Sequence, residues 1–259
     1  SRVISIGPIA TRSTRQYRTV HRQQNYYNPP ENRLGKFLVS NYSNQDTIET
    51  IEIPRLLKPV ARSYEWSIHK YGPIHRAAAW RDEKRQQRRF DIFTGLLAYD
   101  TNRDNVTIND LGCGYGAMFD TFRKLPQFNN GTYFGYDISK SMIKAAEIKI
   151  SDPRALFILN HKATENADYS FVSGTYNMKM AANEDEWLGY IEESIGQLWS
   201  KTKISMGFNM LNIESPLREN TLYYADPAHF MNFCQKNLKA NVRMINLLHP
   251  NEFVIFIRK

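Results

Sequence analysis

The stretch Val106-Thr-Ile-Asn-Asp-Leu-Gly-Cys-Gly-Tyr-Gly-Ala117 decides how the chain is read. It starts as a short apolar strand, passes an acid at Asp110, and breaks into three alternating glycines, Gly112, Gly114 and Gly116. Glycine lets backbone turn sharply and approach a ligand with no Cβ in the way. A strand feeding such a turn and then a helix can offer unpaired backbone N–H groups to a nucleotide-like molecule.

Downstream of this stretch, helix and strand patterns alternate. Met118 to Lys124 reads as a helix and Thr132 to Ile138 as a strand carrying Asp137 near its end. Ser139 to Ile150 reads as a helix opened by a serine cap, with Met142, Ala145, Ala146 and Ile148 at its apolar positions. Strands are expected at Ala155 to Leu159, Tyr169 to Ser173 and Ile204 to Leu211, with a helix from Glu184 to Trp199. Asp226-Pro227 opens a further helix, with proline suited to its first turn. Val242 to Leu248 and Glu252 to Ile257 finish the chain as two strands joined through His249-Pro250-Asn251. The pattern predicts an α/β fold, a doubly wound seven-stranded sheet, mostly parallel, with an antiparallel last strand and an N-terminal extension.

Upstream, Phe90, Phe93, Leu96 and Leu97 recur at helical spacing over roughly Asp82 to Tyr99, with Arg85, Arg88 and Arg89 mostly outside the stripe. Leu56 to Val60 reads as a short helix ended by Pro59, and Gly72-Pro73 marks a turn. Residues 1–50 show no sustained period and read as a basic arm or linker; residues 51–83 read as a cap or lid segment, and 84–259 as the principal domain.

Charge is unevenly placed. Of the net +8 on 259 residues, +6 belongs to residues 1–36, which hold seven basic residues against Glu31 alone. A uniformly basic face would have pointed more strongly to nucleic acid. The arm also has the Arg- and Ser/Thr-rich, acid-poor look of a transit peptide. No apolar run approaches the ~20 residues that span a bilayer, so no membrane contact is expected. Cys113 and Cys234 form neither a disulfide framework nor a metal-ligand spacing, which favours a reducing, cytoplasmic setting. A chain that begins at Ser1 is compatible with a piece of a larger protein, and a homo-oligomer is an equally open expectation.

Two ligands compete for the glycine turn. Gly112, Gly114 and Ala117 satisfy the loose dinucleotide fingerprint, and Asp137, which suits any adenosine ribose, also suits a helix cap. Three features favour the alternative. Asp110, two residues before the first glycine, can hold an ammonium group where a pyrophosphate would be repelled. The turn is G-x-G-x-G and the chain ends in a strand hairpin. About 105 residues precede the motif, where a dinucleotide fold usually opens with it.

At Asn109-Asp-Leu-Gly-Cys-Gly-Tyr-Gly116 and Tyr136-Asp-Ile-Ser-Lys-Ser-Met142 the chain resembles the class I S-adenosylmethionine-dependent methyltransferases, over roughly residues 84 to 259. The resemblance implies a methyltransferase that uses S-adenosyl-L-methionine and releases S-adenosyl-L-homocysteine. It implies that Asp110 and the turn Gly112, Cys113, Gly114 and Gly116 hold the methionine part. Asp137 would bind the ribose hydroxyls, Ile138 and Met142 would flank the adenine, and the backbone at Ser173 and Gly174 would pass the sulfonium. Arg89 is a candidate for the methionine carboxylate or a solvated helix charge. The family's acid after the third strand is replaced by Asn160-His-Lys-Ala-Thr-Glu165, where Thr164 or a backbone group would serve instead.

Methyl transfer is an in-line displacement that needs alignment and dryness, plus a base when the acceptor carries a proton. Loops beyond the strand ends nominate Tyr71, Asn177 and His249 for catalysis and His75, Tyr176, Asn209 and Tyr224 for the acceptor. Asp226 reads as a cap, and Trp66 and Trp80 as core or pocket walls. Base-directed amino-methyltransferases place a Pro-Pro-aromatic tetrapeptide after the fourth strand, where this chain has Ser173-Gly-Thr-Tyr176. A small-molecule or glycan-type acceptor is therefore expected, with an RNA or protein acceptor gripped by the arm, or a catalytically silent domain, as the alternatives.

Overall fold

The computed structural model describes residues 52–80 and 82–259. The basic arm, residues 1–50, lies outside the described residues.

Seven strands form one sheet: β1 (Thr107–Leu111), β2 (Thr132–Asp137), β3 (Ala155–Leu159), β4 (Ala167–Ser173), β5 (Thr202–Leu211), β6 (Asn241–Ile245) and β7 (Glu252–Arg258). Their order is β3-β2-β1-β4-β5-β7-β6. Only β7 runs against the rest, paired antiparallel with both β5 and β6. The chain leaves β1 towards β2 and β3, then crosses back to β4 on the other side of β1. Such a reversal opens a crevice beyond the carboxyl ends of the central strands.

Alternation along the strands divides the core. Phe171 joins Phe90, Phe93, Phe119, Phe122 and Tyr133 on one face, while its neighbour Val172 joins Trp187, Ile191, Ile195, Leu198 and Phe208 on the other. The first face is covered by α2 (Glu83–Thr94) and the short α3 (Phe119–Phe122), the second largely by α5 (Glu184–Ser200) and α6 (Pro227–Lys236). Burying each large apolar side chain is worth about 1.5–3 kcal/mol, so the i, i+4, i+8, i+11 stripe of α5 alone anchors that face. The helices begin where the sequence caps them. Ser139 accepts from the Met142 amide at the start of α4 (Lys140–Lys149), Asn183 accepts from Asp185 and Glu186, and Asp226 accepts from Ala228. Asp226 is thus a cap.

Three expectations need correction. Pro59 does not end a helix; it sits in the first turn of α1 (Lys58–Tyr71), a position where its missing N–H costs nothing. The helix after the glycine turn shrinks to four residues. The sixth strand stops at Ile245, because the chain turns through hydrogen bonds from His249 N to Asn246 O and from Glu252 N to Leu248 O. Among the described residues no helix is long and apolar enough to cross a membrane.

Candidate active site

At the carboxyl edge of the sheet the glycine turn follows β1, Asp137 ends β2, and Ser173-Gly174 end β4. The turn's left-handed glycines, at φ +80°, +55° and +77°, serve different ends. A Cβ on Gly112 would lie 2.0 Å from Thr175 Oγ1, and one on Gly116 would lie 2.5 Å from Ile150 Cδ1. Gly114 meets only the Ala78 methyl, at 4.0 Å. Packing demands the outer two glycines, and the middle one faces open space. The turn's amides are largely occupied: Gly112 and Cys113 donate to Tyr136 O, Gly116 donates to Cys113 O, and Gly114 donates to Asp137 Oδ2 at 2.9 Å. The expected row of free N–H groups is therefore not there.

Asp137 is 8% exposed and also accepts from the Ser139 amide at 2.8 Å. Burial outweighs these hydrogen bonds and pushes its carboxyl up to about 6. Two residues on α1 that the sequence did not single out reach this corner. Glu65 Oε1 accepts from Ser139 Oγ and from the Ser141 amide, closing the N-terminus of α4, and burial beside Asp137 raises the Tyr64 phenol. Met142 is 1% exposed beneath Ile68, Ala77 and Tyr115, and so faces protein where an adenine contact was expected. Ile138 lies partly buried against the core. Cys113 is buried with its thiol raised well above the usual range by desolvation, then by Asp137 and Asp110.

Asp110 lies 1% exposed beneath the turn, taking the Tyr133 hydroxyl on Oδ2. Burial, opposed by that bond and reinforced by Asp137, pushes it up to about 7. Its Oδ1 has no partner. Five buried side-chain atoms are so orphaned among the described residues, and three of them, Asp110 Oδ1, Ser173 Oγ and His161 Nδ1, stand at or just beyond the ends of β1, β4 and β3. Buried polar groups normally find partners, so these three atoms at one edge of the sheet call for an explanation.

Beyond β4, Thr175 Oγ1 donates to Leu111 O at 2.9 Å, tying the second turn to the first strand. Here several expected acceptor contacts prove structural. Asn209 is fully buried: its Oδ1 accepts from the Gly174 amide at 2.9 Å and its Nδ2 donates to Glu252 Oε2 at 3.0 Å. Asn177 Oδ1 accepts from Leu211 N, and its carbonyl accepts from Tyr223 N. Tyr176 is fully buried, its hydroxyl on Ser194 and its carbonyl taking the Trp187 indole N–H. Because these groups are consumed by the protein, Tyr176, Asn177 and Asn209 shape the edge and do not line it.

Arg89 is corrected too. It is 4% exposed, bound through two nitrogens to Glu252, itself 7% exposed, and so is neither a solvated charge nor free for a carboxylate. Its Cζ lies 4.1 Å from the centre of the Trp80 ring. Trp80 in turn abuts the second turn, since a Cβ on Gly174 would come 2.7 Å from its ring edge.

The remaining expectations lie on the rim. His249, exposed in the turn between β6 and β7, bonds Glu214 Oε2 through Nε2 at 2.9 Å. The Tyr224 hydroxyl accepts from the Glu219 amide, with Arg218 Cζ 5.5 Å over its ring. Tyr71 ends α1 against Trp66, and the half-buried His75 accepts the Trp80 amide on its carbonyl. Among the described residues no hydrogen bond or ring contact joins any two of these four. Thr164 bonds the Tyr136 hydroxyl, 3.4 Å away.

No protein-family model matches the chain. It is 33% identical over 159 residues, 60% of its own length and 95% of the relative's, to a Mycobacterium tuberculosis (strain ATCC 25618 / H37Rv) protein named "Putative methyltransferase Rv1506c". In fold it is similar to magnesium protoporphyrin IX methyltransferase of Synechocystis PCC 6803 with bound SAM. That likeness has a TM-score of 0.52 and 15% identity, over 67% of this chain and 79% of that one. It is likewise similar to the DhpI–SAM–HEP complex, with a TM-score of 0.55 and 12% identity over 80% and 100%. The chain belongs to the same methyltransferase family as that mycobacterial relative, and its fold is that of the class I S-adenosylmethionine-dependent methyltransferases.

Proposed function

We propose that the crevice between the two glycine-bearing turns binds S-adenosylmethionine and that the chain methylates an oxygen or nitrogen of a small-molecule or glycan-type acceptor. The observation that carries the cofactor site is the meeting of Asp137 with the Gly114 amide at the reversal of strand order. The unpartnered Asp110 Oδ1 and Ser173 Oγ stand near it. The residues fit the molecule. Asp137 has lone pairs left for the ribose hydroxyls, Asp110 Oδ1 can take a donor from the ammonium group directly or through water, and Gly114 leaves room for close approach. The cofactor supplies an electrophilic methyl group. The chain's own part is to orient it, exclude water, and receive a proton when the acceptor carries one.

Residues 51–83 act as a cap in this reading and 84–259 as the catalytic domain. The small-acceptor preference rests on Ser173-Gly-Thr-Tyr176, whose aromatic residue is locked in the core and cannot stack on a base. His249, paired with Glu214, is the rim group suited to take a proton, and Tyr71, His75 and Tyr224 are the acceptor contacts.

Calorimetric titration with S-adenosylhomocysteine tests the cofactor site. Asp137→Ala and Gly114→Val are expected to lose binding while retaining the far-ultraviolet dichroism of the wild type. Unchanged affinity in folded forms of both would overturn the assignment. The +6 arm is the feature that favours a polymer acceptor. RNA binding that weakens steeply with salt would move the reading there.

A further inference from the structure

Trp80, like the exposed Trp66, stands apart from the core tryptophans Trp187 and Trp199. It belongs to none of the three apolar clusters, even as a peripheral member. Trp187 and Trp199 donate their indole N–H groups to Tyr176 O and Leu238 O, while that of Trp80 meets no acceptor among the described residues. It is nevertheless held firmly. Arg89 lies against one ring face, the ring edge meets Gly174, and its own amide closes a turn onto His75 O. The preceding Ala79 takes φ +60°, a conformation an alanine adopts only at some cost, so the turn that delivers the ring is specifically imposed.

The supporting polar chain is buried. Glu252 holds Arg89 on one side and Asn209 on the other, and Asn209 holds the Gly174 amide. Buried ion pairs contribute little net stability once desolvation is counted. This one fixes the ring and the second turn relative to each other, and because Glu252 neutralises Arg89 no unpaired charge beside the ring would repel a cation.

We propose that Trp80 is the cation-recognising wall of the methyl-donor site: its indole contacts the sulfonium, and the Glu252–Arg89 pair is the positioning device. This rests on the cofactor reading above. Asp137 and Gly174 end strands two places apart in the sheet, roughly 10 Å at strand spacing. A ligand whose ribose lies on Asp137 extends from there towards Gly174, bringing its charged sulfur to the indole. An indole attracts a cation through its quadrupole and has no such attraction for a neutral thioether. Transfer of the methyl group removes that charge, so Trp80 favours the substrate form of the cofactor over the product form.

The test compares calorimetric affinities for S-adenosylmethionine and S-adenosylhomocysteine. Trp80→Leu is expected to weaken the first by roughly three- to thirty-fold and to leave the second within about two-fold, with Trp80→Phe recovering part of the difference. Glu252→Gln is expected to shift the ratio the same way by less. Equal losses for both molecules would show a merely structural ring, and unchanged affinities would show a distant one; either overturns the proposal. Should Trp80→Leu not fold, Trp80→Met decides on the same ratio. A wild-type chain that bound neither molecule would overturn the cofactor site itself, which separates that failure from this one.

Discussion

The turn after β1 and the turn after β4 both place glycine in left-handed backbone at the same edge of the sheet, yet they are built in different ways. The first is closed by neighbours in the adjacent strand, with amides on Tyr136 O and Asp137 Oδ2. Its acids and glycines stand within about thirty residues of one another in a readable motif. The second is closed from far away. Gly174 is pinned by Asn209, 35 residues on, and Asn209 is pinned by Glu252, which meets Arg89 across 163 residues. A turn made of local hydrogen bonds leaves a sequence signature. A turn made by convergence of β4, β5, β7 and α2 leaves none, and its partners are ordinary residues until the chain folds.

The contrast can be broken at the remote turn first. Glu252→Ala leaves the Arg89 guanidinium buried and unpaired, and is expected to cost about 3–5 kcal/mol in urea unfolding. A loss below about 1 kcal/mol would mean that the second turn does not depend on this network. Within the first turn, Gly112→Ala drives a methyl group into Thr175 in left-handed backbone and is expected to cost about 2–4 kcal/mol. Gly114→Ala, with no neighbour nearer than 4.0 Å, should cost only about 1 kcal/mol by the same measurement. Equal costs would refute the division between packing glycines and one that faces open space. Glu65→Gln, which weakens the acid closing α4, should lower stability by about 0.5–1 kcal/mol.

The pH dependence sharpens the same picture. Burial pushes Asp110 and Asp137 up to about 7 and about 6 in the folded chain, above the ordinary carboxylate value of 3.8. The native state therefore holds more protons than the unfolded state between these limits, and stability contributed by these groups is full below about pH 4 and lost as pH rises through 6 and 7. Melting temperature without ligand should decline across that window, and Asp110→Asn should flatten the decline. A slope unchanged by the substitution would show that Asp110 ionises freely.

How much was legible followed from the range of the interactions. The seven strands of a doubly wound sheet, the glycine turn after Asp110 and Asp137 at a strand end could be read because local periodicity and residue type report on them directly. Tyr176, Asn177 and Asn209 were read as acceptor contacts because loop position is visible and side-chain direction is not. The fold turns each into an internal hydrogen-bonding partner. Tyr64 and Glu65 carried no signal, since only the packing of α1 on α4 brings them to Asp137.

The sequence by itself determined the sheet, the sheet edge that carries the glycine turn and the resemblance that names the donor class. Strand alternation, caps and the glycine turn are each set by a few adjacent residues. Tertiary structure alone decided which glycine faces open space, that Arg89 belongs to Glu252, and that Trp80 stands at Gly174. Those facts depend on which distant surfaces exclude water from one another, a property of the assembled sheet and helices that no short stretch of chain contains.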